Sequence, residues 1–121
     1  MTTQEVASRY IELEKQGKWD EILNKLYGDN IVSIEPEHAA AMGMATITNG
    51  IVAKKAKDKA FNESVAEVTG GYCTEPVVGG TFFSVAMGMN CTMKDGTKMN
   101  MEEIAVFEVK DGKIVKEQFF F

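Results

Sequence analysis

The stretch that decides the fold is FSVAMGMNCTMKDGTKMNMEEIAVFEVKDGKIVKEQFFF, residues 83–121. Apolar and polar residues alternate along it with a period of two, as in strands with one buried face, and Asp95-Gly96 and Asp111-Gly112 punctuate it as hairpin turns. The length of each turn sets the register. A two-residue turn at Asp95-Gly96 puts Phe83, Val85, Met87 and Met89 on the face of Lys98, Asn100, Glu102 and Glu108. A three-residue loop, a type I turn closed by a glycine bulge, puts them on the face of Met99, Met101, Ala105, Phe107 and Val109. One residue of slip carries every side chain to the other face, so burial selects the three-residue loop. The same choice at Asp111-Gly112 adds Val115, Phe119 and Phe121 to the buried face.

Two acids stand in the interior of that apolar face, Glu103 and Glu117. This register sets Glu103 opposite Met87 and Phe119, and Glu117 opposite Ala105. An ionised carboxylate in such surroundings costs on the order of several kcal/mol unless it finds a donor or its pKa rises. Two of them on one concave face point to a pocket with chemistry or a water-filled cleft. The opposite face carries Phe82, Ala86, Ile104, Val106, Ile114 and Phe120 within a charged surround, the composition of a subunit interface, and a homodimer through this outer sheet face is expected.

Upstream, Gly79-Gly80 is a third turn, and the chain from Val65 onward divides into four strands that form an antiparallel meander. The first half reads helical. Thr2 and Glu5 have the spacing of a capping box, Val6, Tyr10 and Leu13 follow at i, i+4, i+7, and Gly17 ends the helix. Trp19, Ile22, Leu23, Leu26 and Tyr27 form the stripe of a second helix that Gly28 stops. A short strand over about Asn30–Glu35 leads into a loop. A third helix follows Asn49-Gly50, with Val52, Ala53, Ala56 and Ala60 inward and Lys54, Lys55, Lys57 and Lys59 on a solvated face. Helices first and a curled sheet after make an α+β domain, one unit over residues 1–121.

Composition narrows the function. Eighteen acids against thirteen bases give a net charge of −5, and Arg9 is the one arginine, so a nucleic-acid partner is not expected. The uncharged run Pro76–Met93 alternates and carries glycines, which makes it strands rather than a membrane span. The N-terminus lacks a basic-then-apolar leader, so a cytoplasmic protein is expected. Cys73 and Cys91 lack metal or redox spacing and read as reduced thiols. Eight methionines fit either an adaptable ligand cavity or ordinary core filling.

The stretch VSIEPEH, residues 32–38, holds Glu35 before Pro36 and His38, the one histidine. Glu35 reads as a general base at a pocket mouth or as a strand-end carboxylate, depending on which alternate residues of the strand are buried. His38 reads as a loop residue that tunes or caps the pocket; with no second histidine, a metal site is not expected. Tyr10 lies on the apolar stripe of the first helix, as a core tyrosine or a hydroxyl donor.

The order of elements, with "GKWDEILNKLYGDN" (17–30) as second helix and "AVFEVKDGKIVKEQFFF" (105–121) as closing hairpin, resembles the nuclear transport factor 2-like superfamily, and within it the SnoaL-like, polyketide cyclase-like branch. The resemblance covers the whole chain. It implies a cone-shaped α+β barrel, three N-terminal helices packed on a curled antiparallel sheet, around an apolar cavity. It also implies dimers across the outer face and no metal or other cofactor. Arg9-Tyr10 and Glu35-Pro36 match the tyrosine donor and the general base of ketosteroid isomerase, but Ala105 stands where that enzyme has its protonated aspartate, which argues against steroid isomerisation. The expectation is therefore proton-transfer chemistry (isomerisation, dehydration or cyclisation) on a small apolar carbonyl-bearing molecule. Glu35, Glu103, Tyr10 and His38 would be catalytic, with Phe83, Met87, Met101, Glu117, Phe119 and Phe121 as lining. The alternative is a non-catalytic ligand-binding or dimerisation domain.

Overall fold

The computed structural model describes residues 1–121. Helix α1 (Thr3–Lys15) starts at Thr2, whose Oγ1 accepts the Glu5 N–H at 3.1 Å while the Glu5 carboxylate accepts the Thr2 N–H at 3.0 Å. Both orphan donors of the capping box are thus satisfied. Its inward stripe is Val6, Ala7, Tyr10, Ile11 and Leu13. Helix α2 (Trp19–Lys25) is shorter than its apolar stripe suggests, because Tyr27 is already in strand β1 (Tyr27–Ile34), paired with Ile114. Trp19 packs edge-on against Tyr10 and stays 42% exposed rather than entering the core.

A 3-10 helix (Glu37–Met42) and strand β2 (Ile47–Asn49) lead to helix α3 (Ile51–Ser64). Strands β3 (Val65–Cys73), β4 (Val77–Gly79), β5 (Phe82–Met93), β6 (Lys98–Lys110) and β7 (Lys113–Phe120) complete the chain. One seven-stranded sheet runs in the order β2-β1-β7-β6-β5-β3, with β4 paired to β5. The meander is present as β3-β5-β6-β7, and β4 is a short addition to it. The expected α+β architecture, N-terminal helices packed on a curled sheet, is present. Within it β1 lies parallel to β7, so the sheet is mixed rather than wholly antiparallel, and the end strands β2 and β3 do not pair, so the curl is unclosed.

The first hairpin has the three-residue loop. Met93 N–H donates to Thr97 O at 2.8 Å across Lys94, Asp95 and Gly96, and Gly96 adopts φ 90. Phe83 then faces Phe107, Val85 faces Ala105, Met87 faces Glu103 and Met89 faces Met101. The second hairpin turns differently. Asp111 (φ 52) and Gly112 (φ 73) are both left-handed, the geometry of a two-residue type I′ turn, and Lys110 pairs directly with Lys113. A bulge then inserts Val115, since Val109 pairs with Ile114 but Glu108 with Lys116. Ile114, expected outside, is fully buried, while Val115, expected inside, is only half-buried. The bulge restores the parity, so Glu117 and Phe119 still point inward, but the pairing moves by two residues. Phe119 lies opposite Ala105 and Glu117 opposite Phe107, not opposite Glu103 and Ala105 respectively.

Helix α3 has the expected fourteen residues but the opposite orientation. Val52 is 80% exposed, Ala53, Ala56 and Ala60 are exposed, and Lys54 is buried. Ile51 and Phe61 are the large apolar residues of the helix, and their side shares the stripe of Lys54 and Asp58 at i, i+3, i+7, i+10. Ile51 and Phe61 are both half-buried on that side and give the stripe its apolar ends. In the core, Phe83 stacks on Phe107 at 4.7 Å, and Tyr10 packs against Phe107 at 4.9 Å and Phe83 at 5.9 Å. No helix is long and apolar enough to cross a membrane.

Candidate functional site

The inner side of α3 meets the concave sheet at a cluster of charges. Strand β1 alternates so that Ile31, Ser33 and Glu35 are buried and Val32 and Ile34 are less so. That settles the direction of Glu35, whose backbone N–H is also held by Thr46 O at 2.8 Å. Ser33 pairs with Glu117 across the parallel β1–β7 ladder, on the same inner face.

Glu117 is fully buried and fully partnered. Lys54 Nζ lies 2.7 Å from its Oε1, Ser33 Oγ donates to the same oxygen at 3.0 Å, and Tyr27 Oη donates to Oε2 at 2.5 Å. Lys54 also reaches Asp58 Oδ1 at 3.1 Å and sits 5.7 Å from the centre of the Phe119 ring and 5.9 Å from that of Tyr27. Burial alone would lower the Lys54 pKa. The carboxylates of Glu117 and Asp58 outweigh it, the net shift is upward, and Lys54 is a fixed cation. Burial, and then the Glu117 charge, push the Tyr27 hydroxyl well above its ordinary range, so it serves as a neutral donor.

Lys57, one turn further along α3, donates to Glu35 Oε1 at 3.2 Å and to Ser33 Oγ at 3.3 Å. Its side chain is 22% exposed, against 8% for Lys54. Glu103 stands apart from this network. It is half-buried on the same face beside Met87, and neither a hydrogen bond nor an ion pair holds its carboxyl. Burial first, then the nearby charges of Glu35 and Glu117, push its pKa up to about 7, against the smaller pull of Lys54 and Lys57.

The remaining expected site residues are dispersed. Tyr10 is buried beneath the cluster, its hydroxyl directed at Met87 Sδ at 3.8 Å. Burial pushes that hydroxyl well above its ordinary pKa, so it stays neutral. His38 is exposed on the 3-10 helix, its ring edge-on to Phe121 at 5.3 Å. Phe83 is stacked on Phe107 in the core, and Phe119 covers Lys54. Met101 borders an outer cleft of about 310 Å³ that it shares with Tyr72 and Glu102. Another cleft, of about 440 Å³, lies between α1 and Glu75-Pro76. The carboxylate cluster borders neither. Both cysteines are free, and burial pushes the Cys73 thiol up to about 11.

Sequence reasoning missed Lys54, Lys57, Ser33 and Tyr27. A usable signal existed for the lysines: the two bulky apolar residues of α3, Ile51 and Phe61, mark its inner face, and Lys54 and Asp58 lie between them.

No curated protein matches the chain. The SnoaL-like domain family matches residues 1–121. A structure from Mesorhizobium loti, provisionally named a SnoaL-like polyketide cyclase, is 32% identical over 100% of both chains, with a TM-score of 0.90. A Xanthomonas campestris protein of unknown function with a cystatin-like fold is 16% identical over 99% of this chain and 90% of its own, with a TM-score of 0.80. TerC, co-crystallised with polyporic acid, is 15% identical over 98% of this chain and 90% of its own, at 0.77. The last two share the fold. With every residue inside the family match and the Mesorhizobium structure aligned end to end, the chain belongs to the SnoaL-like family.

Proposed function

We propose that the chain is an enzyme of proton transfer that isomerises, dehydrates or cyclises a small, mostly apolar molecule bearing a carbonyl or similar oxygen. The observation that supports this reading is the contrast among three carboxylates on one concave face. Glu35 and Glu117 are each tied to a lysine, whereas Glu103 is half-buried and tied to nothing. A carboxyl that both holds and releases its proton near neutrality can act as base in one step and acid in the next. Glu103 has that role, with Glu35 as the second carboxylate. The ligand would reach Glu103 from the side away from Phe83, Phe107 and Tyr10, which pack together in the core. No metal or other cofactor takes part in this scheme.

The test is solvent-deuterium exchange, followed by NMR, into the acidic C–H positions of small enones, lactones and 1,3-diketones. The wild type is expected to exchange at least one class above the buffer rate, and Glu103→Gln to lose about 100-fold or more of that rate. A ligand that raises the melting temperature without exchanging, and binds Glu103→Gln within a few-fold, would establish the non-catalytic binding domain instead.

The outer face supports a homodimer. Phe82, Ile104 and Phe120 are 47%, 52% and 50% exposed there, which is more apolar surface than one sheet face ordinarily leaves in water. Ile104→Glu is expected to yield a monomer in sedimentation velocity at concentrations where the wild type is dimeric. A dimer that survives the change would move the interface elsewhere.

A further inference from the structure

We infer that Lys57 is a second catalytic group, whose ammonium receives the substrate oxygen on which negative charge grows, and that the site therefore favours ligands that bind as enolates or phenolates. The inference rests on the acid–base reading of Glu103 for the reaction, but not for the binding preference.

Helix α3 brings two lysines to the concave face three residues apart, and their surroundings divide their roles. Lys54 is committed. Glu117 at 2.7 Å and Asp58 at 3.1 Å accept from its ammonium, and the rings of Phe119 and Tyr27 lie against it. Displacing Glu117 would leave a fully buried carboxylate short of its cation, so Lys54 is structural. Lys57 is only partly committed. Its contacts with Glu35 at 3.2 Å and Ser33 at 3.3 Å are long for an ammonium, which prefers about 2.7–2.9 Å to an anionic oxygen, and they occupy two of its donors. It is also the more exposed of the two, so an incoming oxygen can take up a donor without dismantling the core.

The charges around Glu103 on the concave face give this placement its use. When Glu103 removes a proton from carbon, the C–H pair becomes the C=C bond of an enol system and the carbonyl π pair moves onto oxygen. Negative charge thereby leaves a carboxylate that stands near Glu35 and Glu117, and arrives on an oxygen beside the Lys57 ammonium. Glu103 then returns its proton to a different carbon for isomerisation. For dehydration it delivers the proton to a departing hydroxyl while the enolate pair forms the new C=C bond. No oxidant or metal is needed to balance either course. Lys57 supplies the oxygen anchor that Ala105 cannot, and it does so from the helix rather than from the sheet.

The probe is 4-nitrophenol, whose anion is told from the neutral phenol by visible absorption. The intact wild-type protein near neutral pH is expected to bind the anion and to raise its fraction. Lys57→Gln is expected to weaken anion binding by about tenfold or more, and Lys57→Arg to keep most of it. Glu35→Gln removes the carboxylate that competes for Lys57, and is expected to tighten anion binding. That second variant keeps the inference falsifiable should Lys57→Gln fold poorly. Equal nitrophenolate affinity in Lys57→Gln and wild type, weaker affinity in Glu35→Gln, or a wild type that leaves nitrophenol neutral, each overturns the assignment. Deuterium exchange separates the two claims. If Glu103→Gln abolishes exchange while Lys57→Gln binds nitrophenolate normally, Lys57 falls and Glu103 stands. If Lys57→Gln loses the anion while Glu103→Gln exchanges at the wild-type rate, the anchor stands and the acid–base reading falls.

Discussion

Lys54→Met lowers the unfolding free energy by about 3–5 kcal/mol, the cost of stripping one partner from a buried ion pair. Methionine replaces the aliphatic stem against Phe119 and Tyr27 well enough, so lost packing is a minor part of this. The larger part falls on Glu117, fully buried and left with two neutral hydroxyl donors, Tyr27 and Ser33, in place of a cation. For a chain of this size the melting temperature should fall by roughly 10–20 °C. One further measurement identifies the cause. Adding Glu117→Gln to Lys54→Met should restore part of the stability, since the charge that needed Lys54 is gone and the amide still fits Ser33 and Tyr27. A Lys54→Met protein that melts within a few degrees of wild type at neutral pH would show that Glu117 does not depend on its cation.

The residues that were legible in the sequence and those that were not differ in what sets their direction. The first hairpin was readable because both possible registers could be written out and only one buried Met99, Met101, Ala105 and Phe107. At the second hairpin the same Asp-Gly pair was ambiguous. An aspartate that accepts φ 52 permits the two-residue turn, and a bulge at Val115 then corrects the parity further along. Beyond Val115 the burial pattern cannot separate that solution from a longer loop, since both bring Glu117 and Phe119 inward; they differ in the pairing partners and in Ile114 taking the buried place expected of Val115. Helix α3 failed for a different reason. Hydropathy treats a lysine as solvent-facing, yet Lys54 is drawn inside by Glu117, a residue sixty-three positions away on the last strand. Its burial is a property of the pair, and neither sequence segment carries it alone. Glu103 was legible as a misplaced acid on an apolar face. That it would be the unpaired carboxylate of three depended on which acids the two lysines reached.

Glu103→Gln is expected to remove activity and add stability, and the two effects should titrate together. Burial and the charges of Glu35 and Glu117 hold the Glu103 pKa at about 7, against an ordinary 4.5. Below the ordinary value, folded and unfolded chains both keep the proton and the residue costs nothing. Between 4.5 and about 7 the unfolded chain releases the proton and the folded one retains it, so wild-type stability declines as pH rises. Above about 7 the folded state ionises too, and the decline stops. Glutamine has no such slope. The gain of Glu103→Gln should grow from nothing in acid to a plateau of about 1–3 kcal/mol in alkali, the range allowing for the partial exposure of the carboxyl. Deuterium exchange runs the other way. If Glu103 is the base, the wild-type rate rises with the ionised fraction through about pH 7 and then levels, while the amide stays about 100-fold or more below it throughout. A group kept strained for its chemistry loses function and gains stability when neutralised. A Glu103→Gln protein that is less stable than wild type above neutrality would instead make Glu103 a structural carboxylate, and the proton-transfer reading would lose the residue on which it rests.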